Sequence, residues 1–426
     1  MIASPILFEL SSSCPHVGCG EAIDNDAGAA SRACPRCAAD IINCEFCRAT
    51  NRLLAVHCRG CGRGLNSEVW PMQAGLAATA IAFASIQSID QSRPVVPFRL
   101  GARILAQPVA ADGVLALPLD DGSVSIVSEL QCRQVGRVPV GAPVDVAPAL
   151  KDGFLFVGAG RKAVCFDLAA FMDRPSRVDL KPVWTFECSG SEIVQPLLVD
   201  AGSIYLLSRD GSEAILEAVE LVDGKQVWAQ PLRFNTSQTA APLAIRDRLV
   251  LITLAGEVSV IDPETGQIVE SFPLDRRPAP QVPPFVTGNR ALIADREGNL
   301  VQLLLIDSGP LVTTIYSHGS RIASLSANQE FIAIGDMAGL TLLNSRGHLL
   351  WASDGAEAIS VAPIVAGKSV FALDDSGAGL LFNSLRATPA GRVKLLSGEI
   401  SLPPVMTRSR IAAANAGGEV VTIEWS

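Results

Sequence analysis

From residue 90 onward the chain repeats itself roughly every forty residues, and that repeat limits the fold more than any other feature of the sequence. Each unit opens with a small or proline-containing tetrapeptide, runs into an apolar strand, and then turns back on itself two or three times at Gly/Asp turns. The openings are QPVA (107–110), APAL (147–150), QPLL (195–198), APLA (241–244), PPFV (283–286), ASLS (323–326), APIV (362–365) and PPVM (403–406). Counted at their second residues, they are spaced by 40, 48, 46, 42, 40, 39 and 41 residues. One such unit cannot bury its apolar face alone. Stacking units around a ring as four-stranded blades solves the problem at this period. The expected fold of residues 93–426 is therefore an all-β propeller of eight blades. Seven is the alternative, because the units at 148 and 196 are irregular.

Local chemistry within a unit agrees with that reading. In RLVLITLAGEVSVIDPETGQIVESF (248–272) apolar and β-branched residues form the first strand, AGE reverses the chain, VSVID returns, and PETG turns it again. Gly266 suits the positive φ that the last turn needs. Trp228 and Trp351 each stand four residues after a turn glycine, Gly224 and Gly347, and Trp184 and Trp425 end comparable strands. Tryptophan at that position is expected to cover the junction between adjacent blades. The last unit has room for only three strands before the chain ends. RPVVPFRLG (93–101) is expected to supply the fourth, closing the ring and removing the exposed sheet edges.

The segments GEVSVIDPETGQIVESF and ELVDGKQVWAQ resemble the GxVxALDxxTGxxxW repeat of pyrroloquinoline-quinone-like β-propellers, and the resemblance covers most of 93–426. Enzymes of that family are exported dehydrogenases that hold a quinone and Ca²⁺ on the propeller axis and carry many Trp motifs. This chain has five Trp and no evident acidic calcium cluster. It is more similar to the non-enzymatic members, which use the propeller as an interaction platform.

The N-terminal part obeys different rules. Eight of the eleven cysteines fall between Cys14 and Cys61, in a segment with little apolar material. They form four pairs: Cys14 and Cys19, Cys34 and Cys37, Cys44 and Cys47, Cys58 and Cys61. Paired thiols in tight knuckles, with Gly20 and Gly62 following, are the pattern for tetrahedral thiolate zinc, which replaces a hydrophobic core. The simplest pairing is sequential, with the first four cysteines on one Zn²⁺ and the last four on a second. That arrangement resembles a double zinc ribbon over residues 1–66. A cross-braced, RING-like pairing, iron in place of zinc, and His16 or His57 as substitute ligands are the alternatives. Four thiolates per ion leave no open position, so both metals are expected to be structural. Residues 67–92 are Ala-rich and read as a linker or packing element. Met72 to Ile89 is uncharged but holds too few strongly apolar residues to suggest a membrane span.

A search for catalysis finds no HExxH, GxSxG, GxxxxGK[ST] or GxGxxG motif. His318 and His348 fall in expected turns, the DDG and DDSG stretches at 120–122 and 374–377 read as turn chemistry, and Cys132, Cys165 and Cys188 read as buried small hydrophobes. Net charge is −9, which argues against binding nucleic acid or anionic membranes through the body of the chain. Arg48, Arg52, Arg59 and Arg63 keep nucleic acid as an alternative partner of the second ribbon. The N-terminus MIASPILFELSSSCP lacks a basic region and an apolar run, and paired thiols as metal ligands suit a reducing compartment, so a cytoplasmic location is expected. The expectation for function is a non-enzymatic scaffold with protein partners and no small-molecule substrate. A quinone-dependent dehydrogenase is a further alternative.

Overall fold

The computed structural model describes residues 97–424, apart from 112–113, 129–132, 169–179, 201, 237, 307, 354–357 and 407–409. Nearer the N-terminus it describes 14, 21–23, 31–34, 36, 40–43, 49–52, 80–81 and 86. Eight antiparallel sheets follow one another around a ring, so the eight-blade count holds and seven does not. Blade 1 spans 109–139, blade 2 149–187, blade 3 192–234, blade 4 243–273, blade 5 285–317, blade 6 324–352, blade 7 364–394, and blade 8 405–424. Phe98–Arg99 completes blade 8 as its outermost strand, pairing antiparallel with Val420 and Glu419. The N-terminal strand thus closes the ring by covering the start of the strand Glu419–Glu424.

The strands within each blade run from the axis outward in chain order. Alternate turns therefore lie on opposite faces. One face carries the second-to-third-strand turns and the crossovers between blades; the other carries the first-to-second and third-to-fourth turns. The second and third strands are buried on both sides, as in Val114–Pro118 and Leu342–Leu343, because each sheet is sandwiched between neighbours. The fourth strands are exposed outside, as in Ile268–Pro273. The apolar core is consequently a series of wedges between sheets, such as the one joining Val138, Val144, Leu155 and Phe166 across blades 1 and 2.

Tryptophan seals these wedges as expected. Trp184 of blade 2 lies on Gly224 of blade 3, and its Nε1 donates to the Leu221 carbonyl at 3.0 Å. Trp228 lies on Gly266 of blade 4 and donates to the Pro263 carbonyl at 2.9 Å. Both glycines have positive φ, and a Cβ on either would sit 2.6 Å from an indole carbon, so the turn and the packing both demand glycine. Blade 7 has no glycine in the matching Asn383–Arg386 turn; there Trp351 stacks on Phe382 at 5.5 Å, and its buried Nε1 has no acceptor among the described residues.

Two details differ from the sequence reading. Trp228 is not in the outer strand of blade 3, which is Leu232–Phe234; it follows Gln226, which bridges Val219. Trp184 does not end a strand but opens the fourth strand of blade 2, Trp184–Glu187. The long spacing after 148 agrees with an insertion in the second unit, AAFMDRPSRVDLKPV, which separates that strand from the third, Lys162–Asp167.

Nearer the N-terminus, Ser31–Ala33, Asp40–Asn43 and Thr50–Arg52 form a separate three-stranded antiparallel sheet. Ala80–Ile81 then pairs in parallel with Val365 and Ala366, on the axis-facing edge of blade 7. Ile86 is buried among residues of blades 7 and 8, and its carbonyl accepts a 2.8 Å hydrogen bond from Ser369 Oγ. Among the described residues no helix is long and apolar enough to cross a membrane.

Candidate functional site

Of the eight expected metal ligands, Cys14 and Cys34 are described. Cys19, Cys37, Cys44, Cys47, Cys58 and Cys61 lie outside the described residues, as do His16 and His57. Cys14 and Cys34 come from the first two pairs and share one buried cluster with Ile23 and Ile41. The Cys14 N–H donates to the Glu21 carbonyl at 2.7 Å. Cys34 directly follows the strand Ser31–Ala33, at the start of its hairpin with Asp40–Asn43. Full burial contributes about 1.5–3 kcal/mol for each of Ile23 and Ile41, the described apolar partners of the two thiols. A thiolate donor set fits a segment whose sequence holds little apolar material. Among the described residues no three His, Cys, Asp or Glu side chains converge on one point.

On the crossover face, polar side chains repeatedly tie the third strand or the turn before it to the crossover entering the same blade. In blade 5, Asp295 accepts from the Asn299 N–H at 2.7 Å and pairs with Arg276 at 3.4 Å. In blade 3, buried Glu217 accepts from Ser189 N–H at 3.0 Å and from its Oγ at 2.7 Å. Blade 7 uses Asp375 with Ser360, and blade 8 uses Glu419 and Asn415 with Ser397.

Blade 6 presents the version closest to a catalytic site. His318 Nε2 donates to Asp336 Oδ2 at 2.8 Å, and Ser320 Oγ donates to the same oxygen at 2.8 Å. The other carboxylate oxygen accepts from the Ala338 and Gly339 N–H groups. Burial pushes the Asp336 carboxyl up, but the hydrogen bonds from Ser320, His318 and Ala338 outweigh it and hold the group below the usual carboxylate range. Serine, histidine and aspartate are thus adjacent, yet both Ser320 and His318 point at the acid. A nucleophile relay needs the hydroxyl on the imidazole. The arrangement is a clamp of the same kind as its neighbours. The sequence placed His318 in a turn without a partner, because Asp336 is eighteen residues away and nothing local announces the contact.

The remaining nucleophile candidates are closed off. Cys165 and Cys188 are buried in one cluster between blades 2 and 3. Burial first, and Asp167 second, push the Cys165 thiol up to about 12, and burial also raises Cys188. Such thiols are poor nucleophiles. Cys132 lies outside the described residues. Asp120, Asp121, Asp374 and Asp375 serve as turn and clamp acceptors: Asp121 receives Ser123 and Arg137, while fully buried Asp374 receives Ser376, the Ala378 N–H and Arg392.

The solved structures similar to this chain have diverse functions. BamB from Moraxella catarrhalis matches with a TM-score of 0.57 and 15% identity, over 77% of this chain and all of that one. Sqt1 from Saccharomyces cerevisiae matches at 0.60 and 14%, over 77% and 97%. The quinohemoprotein alcohol dehydrogenase from Comamonas testosteroni matches at 0.61 and 12%, over 84% and 80%. At these identities the likeness establishes the propeller alone. No curated protein matches the chain significantly. A family model, described as outer membrane protein assembly factor BamB, matches residues 120–336, from the second-to-third-strand turn of blade 1 to the second strand of blade 6. Since that match spans just over half of the sequence, the chain belongs to this family of pyrroloquinoline-quinone-like propellers.

Proposed function

We propose that this protein is a non-enzymatic scaffold whose propeller and N-terminal zinc module are surfaces for protein partners in a multiprotein assembly. The observation that carries the reading is the parallel pairing of Ala80–Ile81 with Val365 and Ala366. The chain's own backbone thereby lies on the axis side of blade 7, in the region where a quinone enzyme of this fold would hold its cofactor. The clamped polar groups of the crossover face and the buried thiols support the same reading, since each titratable group is already engaged in structure. The membership in a family described as an assembly factor is consistent with it.

The N-terminal cysteines are proposed to hold two structural Zn²⁺, and the location is proposed to be cytoplasmic. The shared cluster of Cys14 and Cys34 supports the first. Two unbridged thiols buried together at Cys165 and Cys188 support a reducing compartment.

Two measurements on the purified full chain test this. Elemental mass spectrometry should find two zinc per chain, and Cys34→Ser should lower that number. A chain without zinc would remove the metal part of the proposal. Gel filtration after incubation with pyrroloquinoline quinone and Ca²⁺ should give protein free of quinone absorbance. Stoichiometric quinone on the protein, with reduction of a dye by an alcohol, would replace the scaffold by a dehydrogenase.

A further inference from the structure

The repeat supplies an internal comparison at the first residue of each blade's second strand. In blade 4 this residue is Arg248, and Asp262, the residue just after the third strand Glu257–Ile261, lies 3.5 Å from its guanidinium. In blade 8 it is Arg410, which stands opposite Glu424 and pairs with it. In blade 5 it is Arg290, and the residue opposite is Leu304. Blade 5 thus keeps the cation of the pair and lacks the carboxylate.

Arg290 does not escape into solvent. It is half-buried at a groove of about 530 Å³ between blades 5 and 6, lined also by Gln302, Leu304, Gln329, Ser345 and Arg346. Its Nη1 donates to Gln302 Oε1 at 2.9 Å and to the Ser345 carbonyl. Both acceptors are neutral, and among the described residues no carboxylate pairs with Arg290 or lines the groove. Burial lowers the affinity of Arg290 for its proton, with no acid to offset it. A guanidinium in that position is short of a counter-charge, and a second arginine at the rim adds to the positive potential.

We propose that the groove between blades 5 and 6 is a binding site for a carboxylate, which gives the Arg290 guanidinium the counter-charge that Asp262 and Glu424 give its counterparts in blades 4 and 8. Arg346 guides the anion in, while Gln302 and Ser345 fix the guanidinium plane. The volume suits a small organic acid or the acidic end of a peptide. The site stands independently of whether the propeller is a scaffold.

The test is thermal denaturation of the full chain at low ionic strength with citrate, with a peptide of glutamates, with inorganic phosphate, and with sodium chloride at matched ionic strength. At tenfold excess over half-saturation, a carboxylate ligand should raise Tm by about 2 °C above the chloride control. Arg290→Gln should keep the fold, as read by circular dichroism, and lose the rise. Leu304→Glu should restore the pair found in the sister blades, raise Tm without any ligand, and also lose the rise. A response to citrate alone identifies a small acid, and a response to the peptide alone a peptide carboxylate. The proposal is overturned if neither raises Tm, if only phosphate does, or if Arg290→Gln or Leu304→Glu responds like the parent.

Discussion

Replacing Gly266 with alanine probes what joins the blades. Gly266 has φ +71°, and a Cβ there would lie 2.6 Å from Trp228 Cδ2. The left-handed backbone costs a non-glycine residue about 1–2 kcal/mol. The indole cannot simply retreat, because Nε1 is bonded to the Pro263 carbonyl and the ring packs on Tyr205 at 5.8 Å. Overpacking of such a site costs a further ~1–3 kcal/mol, so the total is about 2–5 kcal/mol. For a propeller of about 330 residues the unfolding entropy is near 0.7 kcal/mol/K, which converts the loss to a Tm decrease of roughly 3–7 °C. Gly211→Ala is the control: φ is +56°, but nothing lies within 4 Å of its Cβ position, so it carries the backbone cost alone. In a Trp228→Leu background the extra effect of Gly266→Ala should shrink to that of the control. Calorimetry on the four variants decides the matter. Equal losses from Gly266→Ala and Gly211→Ala in the parent would refute the claim that tryptophan on glycine sets the blade spacing.

The other expectations are simpler to check. Cys165 and Cys188 should resist iodoacetamide at pH 8 in the native chain and react once urea unfolds it; rapid native labelling, located by mass spectrometry, would contradict their burial. Asp336 has a folded pKa below its unfolded value, so its contribution is present above the unfolded value of about 3.9 and is lost as pH falls through the lower folded value. Asp336→Asn should therefore cost about 1–3 kcal/mol near pH 7, and the gap to the parent should close below about pH 4; a pH-independent gap would leave the ionised clamp without support. Proline at both Phe98 and Arg99 should unpair the closing strand, lower Tm and cause concentration-dependent light scattering, since the Glu419–Glu424 strand would become a free edge. An unchanged Tm would mean that ring closure depends on other contacts.

The parts of this fold that were legible in the sequence are those written locally. Strand alternation, Gly/Asp turns and the forty-residue spacing each act over a few residues, so they fixed the blades and left the three-stranded last unit visibly in need of Phe98–Arg99. The clamps were not legible. Ser189 meets Glu217 and His318 meets Asp336 only after a crossover brings one blade's end beneath the next blade's turn. The axial strand was less legible still: Ala80–Ile81 pairs with residues nearly three hundred positions away, and its sequence has no strand pattern. The Ala-rich composition of 67–92 suggested packing but gave no address. Arg290 became informative only when the register placed Leu304, rather than an acid, opposite it.

The path of the N-terminal segment ties the cysteine module to the stability of the ring. A propeller closed by a short strand pairing is weakest at its seam, and here described residues before the closing strand also contact the blades beside it. Ala80–Ile81 holds the inner edge of blade 7, Ile86 is wedged between blades 7 and 8, and Phe98–Arg99 holds the outer edge of blade 8. Burial of Ile86 contributes about 1.5–3 kcal/mol, and its carbonyl satisfies the buried Ser369 hydroxyl. Strand 98–99 does not bear the closure alone, because Ala80–Ile81 and Ile86 are also anchored, on blade 7 and between blades 7 and 8. The described contacts of the chain before residue 100 with the ring therefore lie on blades 7 and 8. Removing residues 1–92 would therefore delete a latch of the propeller along with the cysteine segment, and a loss of stability in such a truncation would not be assigned to the cysteines alone.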